Sequence, residues 1–243
     1  FSDKNKNAPL NKGRFCCCFQ KNLQRERKKQ KDISPVIMFK REDIDELRKN
    51  VRSRLSERRF LHTLGVAKTA LEIGKLLIPE KTRELECAAL LHDIAKEIPT
   101  EELLSLAKAS IGSLDVEDIS SPAVLHSVLG PVIISRDFPS FTTPNILSSV
   151  KNHTTGNADM SIFDEIIFIS DYIEAGRQYA SCVKTRNDFF ATFSHLNSKA
   201  YNLRALHIAS FTSLKNTVEA LNKRGEKIHS KTLLAIDYFS SLI

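Results

Sequence analysis

The stretch Ala88-Ala89-Leu90-Leu91-His92-Asp93-Ile94-Ala95-Lys96-Glu97 decides how the rest of the chain is read. Counting back three, four and seven positions from His92 meets Ala89, Ala88 and Leu85, so the imidazole is expected on the inner face of a helix over 80–97. Asp93 counts back to Leu90 and Ala89 in the same way. A carboxylate driven into an apolar interior costs several kcal/mol unless something positive meets it. The positive partner, and any ligands that share it, have to come from elsewhere in the chain.

Outward from this stretch the pattern stays helical, with no strand alternation and no internal repeat. The expected class is all-α, a compact bundle with short connections. A helix over 42–55 is amphipathic. Ser56 and Glu57 open the next, which continues through Phe60, Leu64, Ala67 and Leu71. Pro79 stops it and starts the 80–97 helix. Pro99 and Glu101 flank Thr100 as the N-cap of another. A loop over 112–121 leads to a helix over 122–138, and Thr143-Pro144 opens a short one reaching His153. Residues 154–157 read as a loop, 161–175 as a helix closed by Gly176, and 199–224 as a long helix stopped by Gly225. A last helix starts near Ser230.

At 243 residues the chain can bury a substantial core. An apolar fraction of 42% and a mean hydropathy of −0.23 are those of a globular protein without membrane spans. The net charge of +7 is a nucleic-acid signal only until it is located. Residues 1–35 carry ten Lys/Arg against three Asp/Glu, and the remainder carries 26 of each. The division is therefore a basic, disordered tail over 1–41 and a neutral helical domain over 42–243, and the folded domain shows no specific nucleic-acid or membrane partner. The tail reads as a solvated extension or as a tether to an anionic surface. Cys16, Cys17 and Cys18 lie in it, and Cys87 and Cys182 stand alone. No disulfide framework or CxxC pair is present, which suits a reducing, cytoplasmic location. Cys87 reads as a small core residue.

Three other segments repeat the pattern of His92-Asp93. Asp171 follows Ile167 and Phe163 at i−4 and i−8, His126 precedes Leu129 and Ile133, and His153 follows Val150 and Ile146. His62 starts its helix with Gly65 and Val66 stacked above it. Singly, an inward His is an ordinary hydrogen-bonded core residue and an inward Asp a cap or half of an ion pair. Together, four histidines and two aspartates on five helices are the ligand types of Zn, Fe and Mn, and a bundle core is where facing helices build such sites. His207 has Leu203 and Phe211 at i−4 and i+4 and reads as core, while His195 and His229 stand outside the set.

The order His62, His92-Asp93, Asp171 resembles the HD superfamily of metal-dependent phosphohydrolases. The surrounding words resemble its YqeK family more specifically. They are Arg59-Phe60-Leu61-His62-Thr63-Leu64-Gly65-Val66, the stretch quoted above, Leu125-His126 with Gly130-Pro131, His153-Thr154-Thr155-Gly156, and Ser170-Asp171-Tyr172-Ile173-Glu174-Ala175-Gly176-Arg177. The resemblance covers 56–232, departing at Ala175, where the family usually has Pro. It implies an HD-type bundle and symmetrical hydrolysis of diadenosine tetraphosphate to two ADP. It also implies that His62, His92, Asp93 and Asp171 hold a divalent metal, with iron expected, Mn, Co or Zn as alternatives, and one or two ions bound. His126 and His153 would face the nucleotide phosphates or hold a second metal, and the bundle is compatible with a homodimer.

The chemistry agrees with that implication. Cleaving a phosphoanhydride needs a nucleophilic hydroxide, and a metal lowers the pKa of bound water to about 7. It also needs cations where charge moves toward the leaving group. Arg59, Lys96 and Arg177 each adjoin a ligand word, and Lys96 lies one turn beyond His92. Lys96 reads equally as a helix C-terminal charge, and Arg177 as a partner of Glu174. Asp93, Lys96, His126 and His153 are the expected catalytic set. Substrate contacts are expected from Arg59, His62, Asp93, His126, His153, Thr155, Gly156, Asp171 and Arg177. Tyr172 reads as an adenine platform or a core tyrosine. Two competing readings keep the ligands and change the outcome: hydrolysis of other nucleoside or deoxynucleoside phosphates, or nucleotide binding without turnover.

Overall fold

The computed structural model describes residues 39–109 and 115–243, all within the unit Met38–Ile243. The expectations for the basic tail, the cysteine triplet among them, lie outside the described residues. Phe39 and Arg41, counted with that tail in the sequence, pack on the helical body. Phe39 is buried against Phe141, and Arg41 donates to Glu86.

Among the described residues the structure is all-α, without a strand. In chain order the helices are α1 (Arg41–Arg52), α2 (Glu57–Leu77), α3 (Thr82–Leu91), α4 (Thr100–Ala109), α5 (Val116–Ile119), α6 (Leu125–Asp137), α7 (Pro144–Asn152), α8 (Ile162–Ile173), α9 (Ala180–Thr192), α10 (Lys199–Arg224) and α11 (Ser230–Ser240). Short 3₁₀ turns over Pro79–Lys81, Pro122–Val124 and Pro139–Phe141 precede α3, α6 and α7. Each begins with a proline, whose fixed φ suits a first turn.

The central helix is α3. Every residue from Leu85 to Leu91 is buried, Glu86 included, and α1, α2, α7 and α8 pack around it. A helix enclosed on all sides is apolar all round. Glu86 is tolerated because Arg41 and Arg48 close on its carboxylate. Local signals fix the surrounding helices as expected. Ser56 accepts from the Arg59 amide, and Thr143 from that of Ile146. Ser161 and Asp164 form a reciprocal capping box. Gly225 ends α10 at a φ of 66°, the left-handed turn glycine adopts without strain.

The structure departs from expectation at five points. The helix read over 80–97 stops at Leu91. His92 caps it, its Nδ1 donating to the Ala89 carbonyl at 2.7 Å, and the chain continues through tight turns from Ile94 to Leu91 and from Lys96 to Asp93. The expected loop at 112–121 contains α5, as far as its residues are described. The helix read to Ala175 ends at Ile173, with Glu174 in extended conformation as its cap. Helix α9 was not anticipated: it is polar, lacks a side-chain cap, and forms because Cys182, Thr185 and Phe189 are buried against its neighbours. Thr100 is the first helical residue of α4.

Candidate active site

Leu91 hands the chain from the buried helix to the site. Beyond it, Glu97 closes the turn by accepting from both the amide and the hydroxyl of Ser56, at 2.6 Å each. The start of α2 is thereby tied to the end of the His92-Asp93 turn, which brings Arg59 and His62 over Asp93. Asp171 arrives from α8, His126 from the first turn of α6, and His153 as the cap of α7.

The four imidazoles form one row. Ring centroids lie 5.4 Å apart for His62 and His92, 5.1 Å for His92 and His153, and 5.1 Å for His153 and His126, each pair edge-on. Two ligand trios lie along it, His62–His92–Asp171 and Asp93–His126–His153, with the donor atoms of each within 4.8 Å of one another. Asp93 reaches both. Its Oδ2 is 3.8 Å from His62 Nε2 and 3.5 Å from His92 Nε2, while its Oδ1 is 3.4 Å from His126 Nε2 and 3.5 Å from His153 Nε2. Ligands held about 2.0–2.2 Å from one ion stand about 3.0–3.5 Å from each other, so these spacings suit shared cations.

The orientation of the rings supports the same fit. His92 Nδ1 donates to Ala89 O, and His153 Nδ1 donates to Val150 O at 2.7 Å. A carbonyl only accepts, so both Nδ1 atoms carry the proton and both Nε2 atoms present a lone pair. Nε2 of His62 and of His92 are buried without a hydrogen-bond partner, although His62 Nε2 lies 2.9 Å from Asp171 Oδ1. Buried nitrogens left without a hydrogen bond beside carboxylate oxygens are the donor chemistry of a divalent metal site.

Charge balance is tight. Burial pushes the Asp93 carboxyl up, but His92 and His153 outweigh it and hold the group well below the usual carboxylate range. Asp171 behaves alike: burial raises it, and Arg177, His62 and His92 bring it far down. Burial lowers the His62 imidazolium, yet the Asp171 and Glu174 carboxylates lift it to about 9. His126 is driven well below its ordinary value by burial, His153 and Lys96, which favours the neutral ring with a single nitrogen lone pair.

A pocket of about 240 Å³ opens above the row. Arg59 Nη1 donates to Asp93 Oδ2 at 2.7 Å, and Arg177 Nη2 to Asp171 Oδ1 at 2.6 Å. Lys96 Nζ lies 3.2 and 3.3 Å from the two ring nitrogens of His126. Lys96 therefore faces the site rather than serving as a helix-end charge, since the helix has already stopped. Burial depresses its ammonium pKa, and Asp93 partly restores it. Arg59, Lys96, Arg177, Asp93, His126, His153 and Asp171 all line the pocket.

Thr155 and Gly156 do not, and His62, also expected to contact substrate, is not among the lining residues. Thr155 is buried, and its hydroxyl donates to the Gly156 carbonyl. Gly156 has a φ of 66°, and a Cβ there would fall 3.2–3.3 Å from Ala235 and Leu214, so it serves the turn and its packing. Thr154 takes the position instead, its hydroxyl 3.1 Å from Nε2 of both His126 and His153. The sequence names Thr154 only as a neighbour of His153. Tyr172 and Phe168 of α8 and Thr217 of α10 complete the lining; for Thr217, in the middle of a long helix, no local sequence signal exists. The pocket also has a carboxylate beneath it that the sequence reading left out of the site, Glu174, whose Oε1 lies 3.1 Å from His62 Nδ1. Burial raises its carboxyl, and His62 with the Gly176 amide brings it below the ordinary value.

The other histidines lie apart. His207 pairs with Glu165 and His229 with Asp118, while His195 is not among the site-lining residues.

Comparison with known proteins agrees with this geometry. Residues 59–176 match the HD domain family, a range that includes all four histidines and both aspartates. The chain is 31% identical over 183 residues to a Halalkalibacterium halodurans protein named bis(5'-nucleosyl)-tetraphosphatase, symmetrical, covering 75% of this chain and 89% of that one. A Bacillus subtilis protein of the same name is 27% identical, with 79% and 94% covered. Among solved structures, a predicted HD superfamily hydrolase involved in NAD metabolism from Clostridium acetobutylicum matches with a TM-score of 0.69 and 28% identity, over 82% of this chain and 97% of that one. With its ligand row, its helical frame and these relatives, the chain belongs to the HD-domain hydrolases, in the YqeK family.

Proposed function

We propose that this protein hydrolyses diadenosine tetraphosphate symmetrically to two ADP, using divalent metal, with iron the expected ion. One observation carries the reading: six imidazole and carboxylate groups cluster beside a pocket that Asp93, His126, His153 and Asp171 line together with Arg59, Lys96 and Arg177. His62, His92 and Asp171 would hold one ion and Asp93, His126 and His153 a second. Such ions, when bound, would supply an acidified water at neutral pH and positive charge near the phosphoryl oxygens.

The chain's own residues do the rest. A pocket of about 240 Å³ is below the usual size for a fully enclosed small-molecule ligand, so the polyphosphate enters and the nucleosides stay at the rim. Arg59 and Arg177 are planar forks suited to phosphate oxygens, and Lys96 adds a point charge. Arg59 and Arg177, held by Asp93 and Asp171, sit directly over the two carboxylates that the trios use. Thr154 offers a hydroxyl beside both imidazoles of the second trio. The departing ADP is a stable anion that needs charge neutralisation more than a proton, which suits a wall of fixed cations. The names of the relatives support this substrate over other nucleoside phosphates.

The test is product analysis with purified full-length protein reconstituted with iron or manganese. Two ADP per dinucleotide, with elemental analysis giving at least one ion per chain, is the expected result. Release of AMP plus ATP, or no release, overturns the assignment.

A further inference from the structure

We propose that Glu174 is a positioning residue that locks the His62 ring with Nε2 aimed at Asp171 and Asp93, and that Gly65 and Gly176 form the cradle that keeps its carboxylate there. The proposal rests on His62 being a metal ligand, as assigned above. Glu174 is almost completely buried, with 3% of its surface exposed, and neither of its oxygens faces solvent-borne charge. Oε1 accepts from His62 Nδ1 at 3.1 Å, and Oε2 accepts from the Gly176 amide at 2.5 Å. Its backbone is pinned as well. The amide donates to Ser170 O, and the carbonyl accepts from the Arg177 amide and from Arg186 Nη1.

The cradle leaves no spare volume. A Cβ on Gly65, one turn beyond His62, would fall 2.5 Å from Glu174 Oε2, and one on Gly176 would fall 2.9 Å from the same atom. A side chain at either position would have to push the Glu174 carboxylate aside. His92 and His153 are oriented by backbone carbonyls three residues back, an arrangement available to a histidine that caps a helix. His62 lies inside the second turn of α2, where the carbonyls are committed to the helix, so its Nδ1 needs an acceptor from elsewhere. Glu174, 112 residues away, supplies it. A carboxylate behind a ligating imidazole fixes the ring and makes its other nitrogen a stronger donor.

Glutamine cannot replace this group. Glu174 accepts two N–H bonds, one on each oxygen, whereas an amide has one accepting oxygen. In Glu174→Gln either the Gly176 amide or the His62 Nδ1–H meets an NH₂ group. The experiment measures Mn²⁺ and Zn²⁺ affinity by chelator competition, well below the melting temperature, on metal-free full-length wild type, His62→Ala, Glu174→Gln and Gly65→Ala. Melting of the metal-free forms is followed in parallel. Glu174→Gln and Gly65→Ala are each expected to weaken binding by about 10–100-fold, although Gly65→Ala retains the carboxylate. Wild-type affinity in both variants, with loss only in His62→Ala, overturns the positioning role and leaves the ligand assignment standing. Wild-type affinity in His62→Ala overturns the ligand assignment and the proposal together. A lowered melting temperature with unchanged affinity assigns Glu174 to the fold alone and also overturns it. Should Glu174→Gln fail to fold, Gly65→Ala decides.

Discussion

Two largely enclosed histidine–carboxylate groups lie on opposite ends of α8. Near its start, His207 Nδ1 stands 3.0 Å from both oxygens of Glu165, with the Phe239 ring alongside. Near its end, His62, His92, His126 and His153 crowd two aspartates. Both groups are imidazoles in a low-dielectric interior next to acid. The difference is in the tally of lone pairs. In the first group one ring meets one carboxylate and the partnership is complete. In the second, two Nε2 atoms are buried without a hydrogen bond, and the oxygens of Asp93 are shared among all four rings. Burial of a histidine thus says little about chemistry; an excess of acceptors aimed at one point says much.

The largest effect expected from this contrast is at the shared carboxylate. Asp93→Ala should lower turnover by about a thousandfold or more, since it removes a member of the second trio whose other oxygen also faces His62 and His92 of the first, and bound metal should fall below one ion per chain. Circular dichroism should still report a folded helical protein. Full activity with full metal content in this variant would erase the distinction between the two groups.

His207→Ala should behave in the opposite way. It strips the partner from Glu165, whose carboxyl burial already pushes upward, and should cost about 1–3 kcal/mol of stability in denaturant titration. Specific activity and metal content at moderate temperature should stay at wild-type values. A metal loss matching that of Asp93→Ala would merge the two groups into one.

The smallest effect is at the surface, where Asp137 meets Arg136 and Arg54. The Arg136 hydrogen bond, against slight burial and with Arg54 in support, lowers the Asp137 carboxyl from 3.8 to about 2. Because its folded value is depressed, its contribution is present above pH 3.8 and disappears as pH falls through about 2. Both arginines are roughly half exposed, so screening limits the pair to less than about 1 kcal/mol. Asp137→Asn should be slightly less stable than wild type at pH 6, and the two stability curves should converge near pH 2.

Much of this arrangement was legible in the sequence because helices announce themselves locally. Ser56, Thr143 and Ser161 mark starts, Gly225 marks an end, and the ligand residues stand out against apolar surroundings. Periodicity places His92-Asp93 in the interior but on the wrong element. The pair does not ride on a helix face; it sits in the turns just beyond one, where the His92 ring serves as the cap. Periodicity cannot place that stop, since residues 88–95 are apolar enough to continue. Adjacent threonines posed a similar limit, because the turn conformation after His153, and not residue type, decides that Thr154 faces the site while Thr155 turns inward. Glu174 was hidden for a third reason. Its contact joins distant segments and depends on the absence of side chains at two glycines, which no local pattern expresses.

The capping role of two site histidines has an electrostatic consequence. α3 ends at His92 and α7 at His153, so both helices turn their carboxyl ends toward the site. Aligned peptide dipoles place about half a negative elementary charge at each such end. The backbone therefore favours a cation there before any side chain is counted, and it repels a polyphosphate by the same field. Under the proposed function, bound ions together with Arg59, Lys96 and Arg177 would reverse that sign for a polyphosphate, so metal loading would favour substrate binding as well as cleavage.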